Sequence, residues 1–129
     1  MRNLTIATLV LLCAPFANAQ RENDALDCRT IEYAELKDMS KDDLLRTYCG
    51  YDALMRINYK AFERMQPHDA AEANAYRHQG AQCGTEAVRI FKVLQKYHNV
   101  PDKGPDCEAL KKVWAEENKK ANAQKKKEK

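Results

Sequence analysis

Cysteine is the residue type with the plainest covalent chemistry in this chain, and it occurs at positions 13, 28, 49, 83 and 107. No two of the five form a Cys-x-x-Cys pair, so neither a thioredoxin-like redox centre nor the usual zinc-knuckle spacing fits. Cys13 sits in an apolar N-terminal run. Met1-Arg2-Asn3 leads into Leu4 to Ala14, then Pro15 and Ala17-Asn18-Ala19: a basic start, a core of about 11 apolar and small residues, and small residues where a signal peptidase needs them. A signal peptide over 1–19 is expected. The run is shorter than the ~20 residues of a bilayer span, and bulky Leu12 before Cys13 argues against a lipoprotein. Cleavage between Ala19 and Gln20 removes Cys13. An even set remains, Cys28, Cys49, Cys83 and Cys107, which in an exported chain implies two disulfides and a periplasmic or secreted location.

Other reactive side chains are dispersed. His68 and His78 are about 15 Å apart along a helix, and no Ser/His/Asp or Cys/His motif accompanies them or His98. Acidic residues stand four positions before basic ones at Asp42/Arg46, Asp52/Arg56, Glu108/Lys112 and Glu116/Lys120, the spacing of solvated helix pairs. No cofactor, metal or catalytic residue is assigned, and the chain reads as a non-enzyme.

Two sets of residues suit contact with a partner. Tyr33 and Tyr59 fall off the apolar stripes described below, and tyrosine joins an apolar body to a polar tip. Lys119, Lys120, Lys125, Lys126 and Lys127 crowd the C-terminus. Residues 111–129 carry eight Lys against three Glu, whereas residues 20–110 have a net charge of −3. An acidic body with a basic tail would attract an anionic envelope surface or an acidic partner. Nucleic acid is disfavoured by the compartment and by the lack of aromatic residues for stacking in 115–129.

Long helices must position these groups. Ser40 with Asp43 marks a helix start. Leu44, Tyr48, Tyr51, Met55, Asn58, Phe62 and Met65 then advance by fours and threes, the stripe of a helix of about 26 residues. Gln66-Pro67-His68 interrupts it. Ala73, Tyr76, Gly80, Cys83, Ala87, Ile90, Leu94 and Tyr97 draw a second stripe over a helix from about His68 to His98. Two such helices form an antiparallel hairpin. Leu45, Ala53, Ile57 and Ala61 on the first helix, with Val88, Phe91 and Val93 on the second, widen the apolar faces. Their expected covers are a short helix in 29–39, with Ile31 and Leu36 inward, and a helix from about Asp106 with Leu110, Val113 and Trp114 inward. The expected fold is all-α: a disulfide-stapled antiparallel hairpin with short N- and C-terminal helices packed on it, a three- to four-helix bundle. Residues 20–118 form the single domain and 119–129 a flexible lysine-rich tail.

Four cysteines allow three pairings. With the turn centred near Pro67, Cys49 and Cys83 stand at nearly the same height, and each precedes a glycine that would let backbones approach. Cys49–Cys83 with Cys28–Cys107 is therefore the expected pattern. Cys28–Cys49 is almost as symmetric but forces Cys83–Cys107, across roughly 22 Å of helix.

With 129 residues, 32% charged, a mean hydropathy of −0.74, four Gly and four Pro, the chain suits one small helical domain and excludes a turn-rich β-sandwich. The expected function is that of an exported protein that binds a protein partner, as an inhibitor or accessory subunit. In size, helical content and lysine-rich end the chain also resembles acid-stress periplasmic chaperones, and lysozyme-inhibitor-like domains share its cysteine-linked helices. That resemblance is architectural and implies, as the alternative, an envelope-associated chaperone using its basic tail.

Overall fold

A computed structural model describes residues 28–128. The signal-peptide segment 1–19 and its cleavage site lie outside the described residues. Four helices follow in order: α1 (Tyr33–Asp38), α2 (Lys41–Met65), α3 (Ala70–His98) and α4 (Cys107–Lys127). The described residues contain no strand, and no helix among them is long and apolar enough to cross a membrane.

Side-chain caps set the three long helices. Ser40 Oγ accepts from the Asp43 amide at 3.1 Å, Asp69 from Glu72 at 3.1 Å, and Asp106 from Ala109 at 3.1 Å. Each satisfies an amide that the first turn leaves without a helical partner, and the Asp charges also oppose the positive end of the dipole. The α2–α3 turn closes when the His68 and Asp69 amides both donate to the Met65 carbonyl at 2.9 Å.

The stripes meet as the periodicity predicts. Leu44, Ile90, Val93 and Leu94 form a buried core that Ile31 and Leu36 complete from the N-terminal segment. Asn58, the one polar member of the α2 stripe, is buried and donates to its own helix at the Leu54 carbonyl. Burying an amide requires such a partner. Ile57, Val88 and Val113 remain exposed, so the flanking helices cover less of the hairpin than the apolar pattern suggests.

The disulfides differ from the expected pairing. Cys28 bonds Cys83 with Cα atoms 4.9 Å apart, and Cys49 bonds Cys107 at 5.5 Å. The cause is the register of the hairpin. Tyr59 lies against Gly80, Met55 against Gly84, and Tyr48 against Phe91 with ring centroids 5.9 Å apart. All three pairs are symmetric about the junction of Asp69 and Ala70, not about Pro67. Cys49 is consequently level with Ile90, and Cys83 with Arg56. The seven-residue offset separates the two cysteines by about 10 Å along the helices, beyond the reach of a disulfide. Nor do the adjacent glycines serve a disulfide between the two helices: Gly84 receives Met55, and nothing approaches the position of a Gly50 β-carbon within 4 Å.

Each flanking segment is instead stapled to a different hairpin helix. Residues 28–31 cross α3, where Gln82 Nε2 donates to the Cys28 carbonyl and to Thr30 Oγ1, both at 3.3 Å. Thr30 in turn donates to Glu86 at 3.1 Å, and the Tyr51 hydroxyl donates to the Arg29 carbonyl at 3.0 Å. Glu86 is only 4% exposed, and Arg89 neutralises it at 2.6 Å, as a buried carboxylate requires. At the other end Asn99 closes α3 in the left-handed conformation (φ 53°), and Gly104 (φ 77°) turns the loop back over Tyr48 and Phe91. That loop delivers Cys107 to Cys49.

Helix α4 is 21 residues long, longer than the short C-terminal helix expected, and continues through 119–127, the segment that its lysines set apart in the sequence. None of its residues is buried; Leu110 and Trp114 are half-covered, and Val113 is exposed.

Candidate functional site

Helix α1 and the last three turns of α3 bring aromatic and basic side chains together. Leu36 is fixed in the core, so the spacing of a six-residue helix places Tyr33 and Lys37, one turn apart, over the end of α3. Arg89, Lys92 and Lys96, spaced by three and four, share one side of α3. The Tyr33 and Tyr97 hydroxyls are hydrogen-bonded at 2.9 Å. Lys37 Nζ lies 5.9 Å from the Tyr33 ring centroid and 5.6 Å from that of Tyr97, and Lys96 Nζ lies 5.4 Å from the Tyr97 ring. These are cation–π distances.

Between the helices is a cavity of about 240 Å³ lined by Tyr33, Leu36, Arg89, Lys92, Val93 and Lys96. Its floor is apolar, because Leu36 and Val93 belong to the core. Its rim is cationic. Tyr33 and Tyr97 stay 47% and 43% exposed, so two rings already ordered by a mutual hydrogen bond face solvent.

The electrostatics favour an anion. The Tyr33 hydrogen bond, with Lys37 and Lys96 nearby, holds the Tyr97 phenol below the ordinary tyrosine value, and the two phenols hold the Lys96 ammonium above its ordinary value. Lys96 therefore carries its charge at any physiological pH. The arrangement can take an acidic group on the rim and an apolar group on the floor.

A larger groove, about 620 Å³, runs between α2 and the start of α4, and four of its seven charged residues are paired with one another. Arg56 pairs with Asp52 at 3.2 Å and Lys111 with Glu108 at 3.5 Å. Of the predicted helix pairs, Asp42–Arg46 and Asp52–Arg56 form, whereas Glu108 and Glu116 choose the lysine three residues on, Lys111 and Lys119.

Among the residues singled out from sequence, Tyr33 lies in this site. Tyr59 lies elsewhere, on α2, with one side of its ring against Gly80. Lys119, Lys120, Lys125, Lys126 and Lys127 are exposed along α4. Sequence reasoning missed Tyr97, Lys37, Arg89, Lys92 and Lys96. Their spacing, Tyr33/Lys37 and Arg89/Lys92/Lys96, is a visible signal, but joining the two sets needs the Cys28–Cys83 staple. His68, His78 and His98 are not brought together, and among the described residues no group of three or more His, Cys, Asp or Glu could hold a metal ion. The chain matches no protein-family model, no curated protein and no solved structure.

Proposed function

We propose that this protein is a non-enzymatic binding module of an oxidising, exported compartment, acting on a protein partner as an inhibitor or accessory subunit. The observation that carries the reading is the exposed Tyr33–Tyr97 pair on a cationic rim over an apolar floor. Tyrosine at the centre of a patch is typical of residues that dominate binding energy. Here the pair is held on a covalently stapled scaffold, so little side-chain entropy is lost on association. The partner segment that fits is acidic with a neighbouring apolar side chain. Two disulfides within about 100 residues support the oxidising compartment.

The test is site-specific photo-cross-linking in the producing cells, with the reactive group at Tyr33 and, separately, at Val88 on the outer side of α3. Capture of one protein in stoichiometric yield from position 33 only, abolished by K92E/K96E, is the expected result. Equal or heterogeneous capture from both positions would remove the proposal.

A further inference from the structure

Helix α4 lies antiparallel beside the first half of α2. Cys107 bonds Cys49, and seven residues on, Trp114 donates its indole N–H to Asp42 at 3.3 Å under the Arg46 guanidinium, 4.7 Å from the ring. Glu117 then meets Arg46 at 3.3 Å. These three residues define the side of α4 that faces the body. Lys112, Lys119 and Lys126 repeat with the same seven-residue interval but stand two residues before Trp114 and its successors, which at 100° per residue turns them about 160° away. They form one line on the outer side, and Lys120 and Lys127 lie beside it. The line spans about 21 Å.

From this geometry we infer that the outer side of α4 docks electrostatically on an anionic phospholipid bilayer. The observations select this occupant in three ways. A straight row of cations directed away from the protein matches an extended flat surface of negative charge, not a concave pocket. All members are lysines, whose point charges suit diffuse attraction to head groups, whereas planar bidentate recognition favours arginine. Residues 115–128 hold no side chain larger than alanine among their apolar members, so the helix adsorbs without inserting, and neither aromatic stacking on bases nor an apolar anchor is present. Two acidic residues share the outer side: Glu108, one turn before Lys112 and 3.5 Å from Lys111, and Glu116, 3.6 Å from Lys119. The surface is separate from the Tyr33–Tyr97 patch and does not depend on it.

The experiment is co-sedimentation of the full chain, disulfides intact, with phosphatidylcholine vesicles with and without phosphatidylglycerol, across a salt series. Binding is expected only to the anionic vesicles, falling steeply with salt. Lys112→Gln/Lys119→Gln/Lys126→Gln should weaken it about 100-fold, while Lys41→Gln/Lys60→Gln/Lys103→Gln, with the same net charge, should weaken it less than about fivefold. Circular dichroism and Trp114 emission verify that both variants keep α4 folded and docked. Equal loss in the two variants, equal binding to both vesicles, or binding to a DNA oligonucleotide or polyglutamate in preference to anionic vesicles would overturn the inference.

Discussion

Met55 lays its thioether across Gly84, with Sδ 3.0 Å from where a β-carbon on that glycine would stand. One turn earlier on α3, the Tyr59 ring occupies the equivalent space over Gly80, its nearest carbon at 2.9 Å. The two glycines make a shallow step on α3 into which α2 settles, and that step sets the register from which the disulfide pattern follows.

The three helical glycines should therefore respond differently to alanine. Gly50→Ala, with open space around it, should stabilise the protein by about 1 kcal/mol through helix propensity alone. Gly80→Ala meets a rigid ring and should lose about 1 kcal/mol net, since overpacking outweighs the propensity gain. Gly84→Ala should fall between them, because a methionine can move. Urea unfolding of the three variants ranks them, and any order other than 50, 84, 80 contradicts the packing described.

Non-reducing peptide mapping should yield Cys28 linked to Cys83 and Cys49 linked to Cys107. Each bond closes a loop of more than 50 residues (separations 55 and 58). In the chain-entropy model each contributes about 4 kcal/mol. The two double serine variants should nevertheless look different. C49S/C107S should release α4, shifting the emission of Trp114, the one tryptophan, to the red while most helicity survives. C28S/C83S should loosen α1, expose Ile31 and Leu36, and lower the melting temperature with Trp114 emission little changed at room temperature.

Docking of α4 should depend on acid pH through Asp42. Hydrogen bonds from Arg46, then Trp114, hold its carboxyl below the ordinary aspartate value despite an opposing desolvation. A carboxyl with a lowered folded value supports the folded arrangement fully above its ordinary value, and that support is lost as pH falls through the lowered one. Trp114 emission should hold steady down to the ordinary aspartate range and change below it. In Asp42→Asn that step should vanish.

Alkaline titration should separate the tyrosines. Tyr97 should ionise ahead of an ordinary phenol, whereas burial raises Tyr48 and Tyr51 so that they ionise after one. The linkage has opposite signs. Tyr97 adds stability as pH climbs past its lowered value; the contribution of Tyr48 and Tyr51 is complete below the ordinary tyrosine value and disappears as pH passes their raised ones. Phenolate absorbance should show the early component, and Tyr33→Phe should move it toward the ordinary position.

Much of the architecture was legible from local rules. The Ser40 cap, the two apolar stripes, and the inward placement of Ile31 and Leu36 all rest on periodicity and capping, which act within a few residues. What was not legible depended on register between distant segments. Counting from Pro67 puts Cys49 beside Cys83; the real centre lies two and a half residues later, set by the packing of Tyr59 on Gly80 and Met55 on Gly84, although the helix ends Met65 and Ala70 are themselves centred close to Pro67. No local rule measures that offset. The same gap hid the Tyr33–Tyr97 patch, whose halves are 64 residues apart. At the C-terminus the lysine-rich segment continues α4, and three of its lysines occupy the last turn, where the helix dipole favours positive charge.

The two crosslinks interlock in sequence: the Cys28–Cys83 loop opens before the Cys49–Cys107 loop and closes inside it. Any single cut of the backbone between Cys28 and Cys107 therefore leaves one covalent molecule. A protease that severs the α2–α3 turn produces two halves joined twice, and one that severs the Asn99–Asp106 loop leaves α4 tethered through Cys49. In surroundings rich in secreted hydrolases, this chain can be nicked without being dismantled.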